Sequence, residues 1–222
     1  MNVFTIFRRE WYNIWQSYGY YILAIDYRGY GDSSSISQVT ETSLVQDATS
    51  ALNWILKNVH PEAKVVIWGH SLGTGVACKL GSTVRFNKKR PVGYVLEAPF
   101  NTMDSIISYL RENGTGLFGW TMGTINKLFD YFFNTRELLE QRDLRFDNEK
   151  CLLDVKEKVI ILHAQDDAVV PFQLGKKLYL NLLATSEDMQ FITFEAEHKL
   201  GHDNIYMYDD ISNVMKSVST LK

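Results

Sequence analysis

The chain has 222 residues, with 23 basic and 26 acidic side chains and a formal net charge of −3. Such a length suffices for one domain with a good hydrophobic core, and the dispersed, nearly balanced charge excludes the basic surface of a nucleic-acid-binding protein. The longest apolar runs are only about as long as a strand and no signal peptide is recognisable, so the chain taken alone is predicted to be cytoplasmic or soluble, without a transmembrane segment. Cys78 and Cys151 form no disulfide framework, and we expect both thiols to be free.

The first part of the chain combines one ambiguous segment with two clearer ones. Residues 2–7 are rich in β-branched and aromatic side chains, a composition that predicts either a short strand or a loop. Apolar side chains at helical spacing predict a helix over 9–18, ended by Gly19. The continuous apolar run at 20–25 predicts a strand buried on both faces, followed by a loop rich in glycine and serine.

Helix and strand signals alternate over much of the rest of the chain. A sequence of capping-box form that starts at Ser43 predicts a helix that lasts until His60-Pro61. Further strands are predicted at 64–68, 93–96, 159–162 and 189–194, and further helices at 74–86, 174–183 and 211–218. This alternation predicts an α/β fold with a mostly parallel sheet and helices on both faces.

The alternation stops between residues 101 and 154, where the segment is helical in pattern and rich in aromatic side chains. We predict one domain over residues 1–222 with this segment as an inserted cap. The cap either packs on a core of its own or forms a lid with a groove for an acyl chain, and the two alternatives are compatible.

A G-x-S-x-G sequence, Gly69 to Gly73, follows the predicted strand at 64–68 and opens the next helix. In the context strand, turn, helix, this motif predicts a nucleophile elbow, in which Ser71 occupies a strained turn with its hydroxyl exposed. Gly69 and Gly73 are expected to leave room for the neighbouring strand and helix.

Three side chains of complementary chemistry follow predicted strands. Reactive groups of open parallel sheets collect beyond the carboxyl ends of the strands, which is where Ser71, Asp167 and His202 are predicted to lie. A serine hydroxyl becomes a good nucleophile when an imidazole removes its proton, and a carboxylate orients that imidazole and stabilises its cation. The order Ser, Asp, His along the chain is that of the α/β-hydrolases.

Both partners of Ser71 have a neighbour as an alternative. Asp166 leaves the same strand as Asp167, but Asp167 has the H-G-x-x-D-x-x-V-P spacing of this fold. His198 shares a loop with His202, and the glycine before His202 favours the latter.

The remaining polar groups receive less specific roles. His163 is interpreted as a structural hydrogen-bonding residue and His70 as a packing neighbour of the elbow. A metal site made of His163, Asp166, Asp167 and His202 matches no known ligand spacing, and the sequence predicts no metal and no cofactor. The oxyanion is expected to bind the backbone N–H of Leu72 and a second donor from a loop before the first helix, although no H-G-x motif precedes residue 9.

Several stretches resemble the α/β-hydrolase domain-containing protein twelve family. They are DYRGYGDS at 26–33, WGHSLGTGVA at 68–77, EAPF at 97–100, LHAQDD at 162–167 and VVPFQLG at 169–175. The resemblance extends from about residue 19 to the C-terminus. It implies Ser71 as nucleophile, Asp167 as acid and His202 as base of a lysophosphatidylserine or monoacylglycerol lipase. It also implies a lipid ester as substrate and an enzyme of the endoplasmic reticulum membrane with an N-terminal transmembrane helix.

The chain departs from this family at its N-terminus, where the transmembrane helix and the first strands with their His-Gly oxyanion loop have no counterpart. The missing third strand of the family lies between the strands predicted at 20–25 and 64–68. Either residues 2–7 replace a strand, or we expect a shortened isoform or an incomplete gene model that folds poorly. Three functions are consistent with the sequence: a single-chain lipid hydrolase, a soluble carboxylesterase, thioesterase or peptidase, and a truncated inactive protein.

Overall fold

A computed structural model describes residues 3–83, 91–113, 143–184 and 188–221. Its helices are α1 (Val3–Ser17), α2 (Glu41–Asn58), α3 (Leu72–Thr83), α4 (Met103–Asn113), α5 (Asn148–Leu152), α6 (Phe172–Leu182) and α7 (Ile211–Ser219). Its strands are β1 (Val66–His70), β2 (Gly93–Glu97), β3 (Lys158–Ala164) and β4 (Met189–Phe194). Short 3₁₀ helices at Ala196–His198 and Ile205–Met207 follow β4.

The four strands form one parallel sheet in the order β1-β2-β3-β4. In its register His70, the last residue of β1, lies beside Glu97, and Glu97 lies beside Leu162 of β3. The strands therefore end close to one another at the same edge of the sheet, which confirms the predicted parallel sheet and places the following loops side by side.

Both faces of the sheet are covered by helices, as predicted. Val95, Ile160 and Leu162 face one core cluster, to which α1 and α7 contribute, whereas Tyr94 and Leu96 face a second, to which α3, α5 and α6 contribute. The alternation follows from the two-residue period of a strand. All five side chains are fully buried, and burial of one such side chain contributes about 1.5–3 kcal/mol to folding.

Helix α1 packs on the edge of the sheet through tryptophan rings. The ring of Trp11 lies 5.1 Å from that of Trp68 in β1, and the ring of Trp15 lies 4.0 Å from it. The helix begins at Val3, so the proposal that residues 2–7 replace a strand is wrong for the part of the segment that the structure describes. Continuation of the helix outweighs the β-propensity of a few branched side chains.

The prediction of a buried strand at 20–25 is also wrong. These residues have no regular secondary structure, Tyr21 is fully exposed and Leu23 is 42% exposed. In the described chain β1 is the outer strand of the sheet, and residues 20–25 form no ladder with it or with another described strand. An isolated strand cannot satisfy its backbone hydrogen bonds, whatever its composition.

The start of α2 differs from its prediction by three residues. Thr40, rather than Ser43, is the N-cap: its hydroxyl accepts from the Ser43 N–H at 3.1 Å, and the Ser43 hydroxyl accepts from the Thr40 N–H at 2.9 Å. The capping box predicted to start at Ser43 is therefore wrong in its position, because the box is formed by Thr40 and Ser43, with Ser43 as its second member. The helix ends at Asn58, shortly before Pro61.

The predicted cap at 101–154 is described only at its two ends, by α4 and α5, and residues 114–142 lie outside the described chain. Cys78 and Cys151 are free and buried, as expected, and burial raises the pKa of both thiols. None of the described helices is both long enough and apolar enough to cross a membrane.

Candidate active site

Ser71 lies between β1 and α3 in a backbone conformation that few residues other than glycine adopt. Its φ is +53°, and its backbone is held on both sides: its N–H donates to the Glu97 carbonyl at 2.9 Å, and its carbonyl accepts from the N–H and hydroxyl of Thr74 at 2.9 and 2.7 Å. A left-handed serine costs about 1–3 kcal/mol, which the surrounding hydrogen bonds must offset. The strand, turn and helix predicted around Ser71 are present.

The two glycines of the motif are in different environments. A Cβ atom on Gly69 would lie 2.3 Å from the carbonyl oxygen of Gly73, so strand and helix approach too closely for any side chain there. A Cβ on Gly73 would have no heavy atom within 4 Å. The expectation of a close approach is confirmed for Gly69 and is wrong for Gly73.

Asp167 lies in the loop between β3 and α6, and its carboxylate is held from several directions. Oδ1 accepts from the backbone N–H groups of Val169 and Val170 at 2.8 and 2.9 Å. Oδ2 lies 2.8 Å from Nδ1 of His202 and 3.4 Å from Nε2 of His163. Burial acts to raise the pKa of Asp167, but these histidines outweigh it and hold the pKa well below its usual value. Asp167 is therefore a carboxylate at neutral pH.

His202 follows β4 and brings its imidazole to this carboxylate. Burial acts to lower the pKa of His202, but the hydrogen bond and charge of Asp167 outweigh it, with smaller contributions from Asp203 and Glu97, and the pKa is raised. Because Nδ1 faces Asp167, the ring's other nitrogen, Nε2, is the one left to exchange a proton with a substrate or nucleophile.

The structure distinguishes the alternatives at both positions. Asp166 points to a different partner from Asp167: both of its oxygens lie 3.0 Å from the backbone N–H of Gly201. His198 is exposed and packs edge-on against Tyr208, with the ring centres 5.0 Å apart. Asp167 and His202 are thus the pair that the fold brings into contact.

His163 is fully buried, and its Nε2 lies 2.9 Å from the Val170 carbonyl oxygen. Among the residues that the structure describes, its Nδ1 has no hydrogen-bond partner. We therefore place the ring proton on Nε2, where it donates to the loop that carries Asp167. This contact agrees with the structural role predicted for His163.

Two residues beside Ser71 have contacts that the sequence did not predict. Nε2 of His70 lies 3.0 Å from the carbonyl oxygen of His202, and the two rings are 4.6 Å apart. Glu97 is fully buried at the end of β2 and accepts from the indole N–H of Trp68 at 3.0 Å. A charged residue at the end of an otherwise apolar strand was the available signal for Glu97.

Among the described residues, His70, His202 and Asp203 bring three potential metal-ligand atoms within 4.8 Å of one another. Nδ1 of His202 already contacts Asp167, and Nε2 of His70 lies on a backbone carbonyl and 3.7 Å from Asp203. We interpret the three as a hydrogen-bonded cluster of the site. This cluster differs from the metal site that was considered from the sequence, and only His202 belongs to both.

Leu72 is the first residue of α3, directly after Ser71. The first N–H groups of a helix have no acceptor within it, and the helix dipole makes this end attractive to negative charge. The expected oxyanion donor thus lies at a helix N-terminus beside the serine. The second donor, expected from a loop before the first helix, stays a prediction.

A parallel sheet covered by helices on both faces, with a serine turn after β1, an aspartate after β3 and a histidine after β4, defines an α/β-hydrolase. Within this class the chain belongs to the serine aminopeptidase S33 family (Hydrolase_4), whose model matches residues 9–148.

Curated relatives agree with the resemblance seen in the sequence. The chain is 34% identical to the lysophosphatidylserine lipase ABHD12 of Danio rerio over 218 residues, which is 94% of this chain and 52% of the relative. It is 33% identical to that of Gallus gallus over 219 residues, 94% of this chain and 53% of the relative. The predicted resemblance is confirmed, and the chain spans about half the length of these relatives.

A solved structure supports the fold. An esterase of Pyrococcus furiosus superposes with a TM-score of 0.71 at 15% identity and covers 96% of this chain and 74% of its own. At that identity the similarity concerns the fold alone.

Proposed function

We propose that the chain is a serine ester hydrolase that cleaves carboxylic esters of single-chain lipids, with Ser71 as nucleophile, His202 as base and Asp167 as the carboxylate that orients His202 and stabilises its cation. The observation that carries the proposal is the 2.8 Å contact between His202 Nδ1 and Asp167 Oδ2 next to a serine turn of φ +53°. His70 links the two halves, since it precedes Ser71 and its ring touches the backbone of His202.

The groups account for an acyl-enzyme reaction in two steps. Ser71 Oγ attacks the ester carbonyl carbon while His202 Nε2 takes its proton, and the N–H of Leu72 donates to the oxyanion. The attack gives a tetrahedral intermediate. When it collapses, the head-group alcohol leaves and receives the proton from His202, and the acyl group stays on Ser71. Water activated by His202 then releases the fatty acid and restores the Ser71 hydroxyl. Asp167, held as a carboxylate, stabilises the His202 cation formed in both steps.

The lipid substrate is supported by similarity, because relatives 33–34% identical to this chain carry the name lysophosphatidylserine lipase. The proposal includes one domain over residues 1–222, whose inserted segment at 101–154 provides the lid and acyl groove. The proposal has three further parts, which rest on the sequence resemblance. They are monoacylglycerol as a further substrate, attachment to a membrane surface and location in the endoplasmic reticulum.

A fluorophosphonate probe tests the nucleophile. Such a probe forms a covalent bond with an activated serine, so wild type is expected to be labelled and Ser71→Ala to be unlabelled. Ser82→Ala is the matched control, since Ser82 lies in α3 and its hydroxyl donates to the Lys79 carbonyl at 3.0 Å. Equal labelling of wild type and Ser71→Ala contradicts the proposal, and so does a folded wild type that is never labelled.

A substrate panel then decides the class of ester. Lysophosphatidylserine and monoacylglycerol are expected to be cleaved in a Ser71-dependent manner and faster than acyl-CoA thioesters or short water-soluble esters. An aminopeptidase is the second candidate, favoured by the description of the matching family model. Aminoacyl arylamides therefore belong in the panel, and their preferential cleavage replaces the lipid proposal by this one.

A further inference from the structure

The loop that carries His202 is held by side chains on either side of the imidazole. The peptide N–H before it, that of Gly201, donates to the Asp166 carboxylate, with 3.0 Å to each oxygen. The peptide carbonyl after it, that of His202 itself, lies 3.0 Å from Nε2 of His70. The two contacts hold the backbone of two consecutive residues, Gly201 and His202, and they come from the ends of two different strands.

The loop itself is a weak support for a precisely placed ring. It consists of a single 3₁₀ turn at Ala196–His198 and of turns in which Lys199 and Gly201 have φ of +52° and +55°. Glycine also has the greatest backbone freedom to lose on folding. A displacement of about 1 Å at a catalytic group can cost about 10²-fold in rate, so the external contacts matter for the ring.

Two consecutive aspartates contact different parts of the segment that contains His202. Asp167 contacts the ring, and Asp166, one residue earlier in the same loop, contacts the backbone that carries it. His70 adds a link to the nucleophile, because it is the last residue of β1 and Ser71 follows it directly. The backbone of Gly201 and His202 is thereby tied to the residues that directly precede Asp167 and Ser71.

We propose that Asp166 and His70 are positioning residues that hold the His202 loop in the geometry in which its imidazole contacts Asp167. The effect on reaction rate rests on the proposed function, whereas the effect on the His202 ring does not. Neither residue touches the reacting atoms.

The first test replaces Asp166. Asp166→Ala removes both acceptors of the Gly201 N–H, and Asp166→Asn keeps one carbonyl oxygen in their place. Asp147→Ala is the matched control, because Asp147 likewise accepts from a backbone N–H, that of Lys150 at 3.0 Å, at an exposed helix start. Fluorophosphonate labelling of Ser71 is expected to slow by about 10- to 100-fold in Asp166→Ala, while Asp166→Asn and Asp147→Ala stay close to wild type.

The second readout is the titration of the His202 ring by NMR, assigned with His202→Gln. The charged or titratable groups facing this ring are Asp167, His70, Asp203 and Glu97. In Asp166→Ala the His202 pKa is expected to fall toward its ordinary value, because the contact with Asp167 is populated less. This readout decides the inference even if the wild type proves not to label.

His70 is tested in the same way. His70→Gln keeps an N–H donor, His70→Ala removes it, and His198→Ala is the control histidine in the same loop. His70→Ala is expected to lower both the labelling rate of Ser71 and the pKa of His202. His70→Gln is expected to restore most of both, and His198→Ala is expected to change neither.

A measurement on the wild type guards against variants that do not fold. The Gly201 amide is expected to exchange its hydrogen slowly, because it donates to Asp166. The inference is overturned by a Gly201 amide that exchanges like an open one, by an unchanged His202 titration in Asp166→Ala and His70→Ala, or by equal losses in Asp147→Ala.

Discussion

The two halves of the site are held in different ways. The serine half is held by backbone geometry: Ser71 exchanges hydrogen bonds with Glu97 and Thr74, and Gly69 packs against the main chain of Gly73. The histidine half is held largely by side chains, with Asp166, Asp167 and His70 on the loop of His202.

This difference predicts different sensitivities. A turn locked by close main-chain packing responds to added volume and little to pH, since none of its contacts needs a titrating side chain. A loop held by carboxylates and imidazoles responds to charge and protonation. The predictions below separate the two responses, starting with the largest.

The largest effect is expected from Asp167→Asn. The amide keeps the volume but donates where the carboxylate accepts, so His202 loses the partner that selects its tautomer and stabilises its cation. The rate of Ser71 labelling is expected to fall by about 10⁴-fold. The thermal melt of the variant, measured in parallel, is expected to remain cooperative. A variant that labels at close to the wild-type rate contradicts the role given to Asp167.

Gly69→Ala tests the serine half through added volume. Its Cβ would lie 2.3 Å from a backbone oxygen, which cannot move without shifting α3. Overpacking of this kind costs about 1–3 kcal/mol, and each kcal/mol lowers the melting temperature of a domain of this size by about 2–4 °C.

Gly73→Ala is the matched control in the same motif, because its Cβ meets nothing within 4 Å. Alanine favours a helix over glycine by up to about 1 kcal/mol, so this variant is expected to melt at or above the wild-type temperature. If both alanine variants melt alike, close packing is not what distinguishes the two glycines.

The histidine half is expected to respond to pH with opposite signs in reactivity and stability. The neutral form of His202 is the base, and Asp167 raises the pKa of His202 above its ordinary value, so labelling is expected to increase with pH through a midpoint above that ordinary value. A raised pKa stabilises the folded chain fully below the unfolded value, and this stabilisation is lost as pH rises through the folded one. The melting temperature of wild type is therefore expected to fall relative to that of Asp167→Asn as the pH rises from the unfolded-state pKa of His202 to its folded-state pKa. Parallel curves for the two proteins would falsify this linkage.

Much of the framework follows from local sequence signals. Apolar runs separated by amphipathic stretches predicted β2, β3 and β4 and the helices beside them, because a buried parallel strand needs apolar side chains on both faces. The G-x-S-x-G motif located the serine turn. Main chains that approach as closely as they do at Gly69 require a glycine, and the motif records that requirement.

The tertiary structure decided those features that depend on a contact with a distant segment of the chain. Residues 20–25 and 159–162 are similar apolar runs, but only the second lies between two strands and becomes one. The choice of Asp167 over Asp166, and of His202 over His198, was favoured by spacing and rests in the structure on contacts between residues 35 apart. The roles of Asp166 and His70 had no signature in the sequence at all. A hydrogen bond between distant segments depends on how the chain folds back on itself, and no local pattern encodes that.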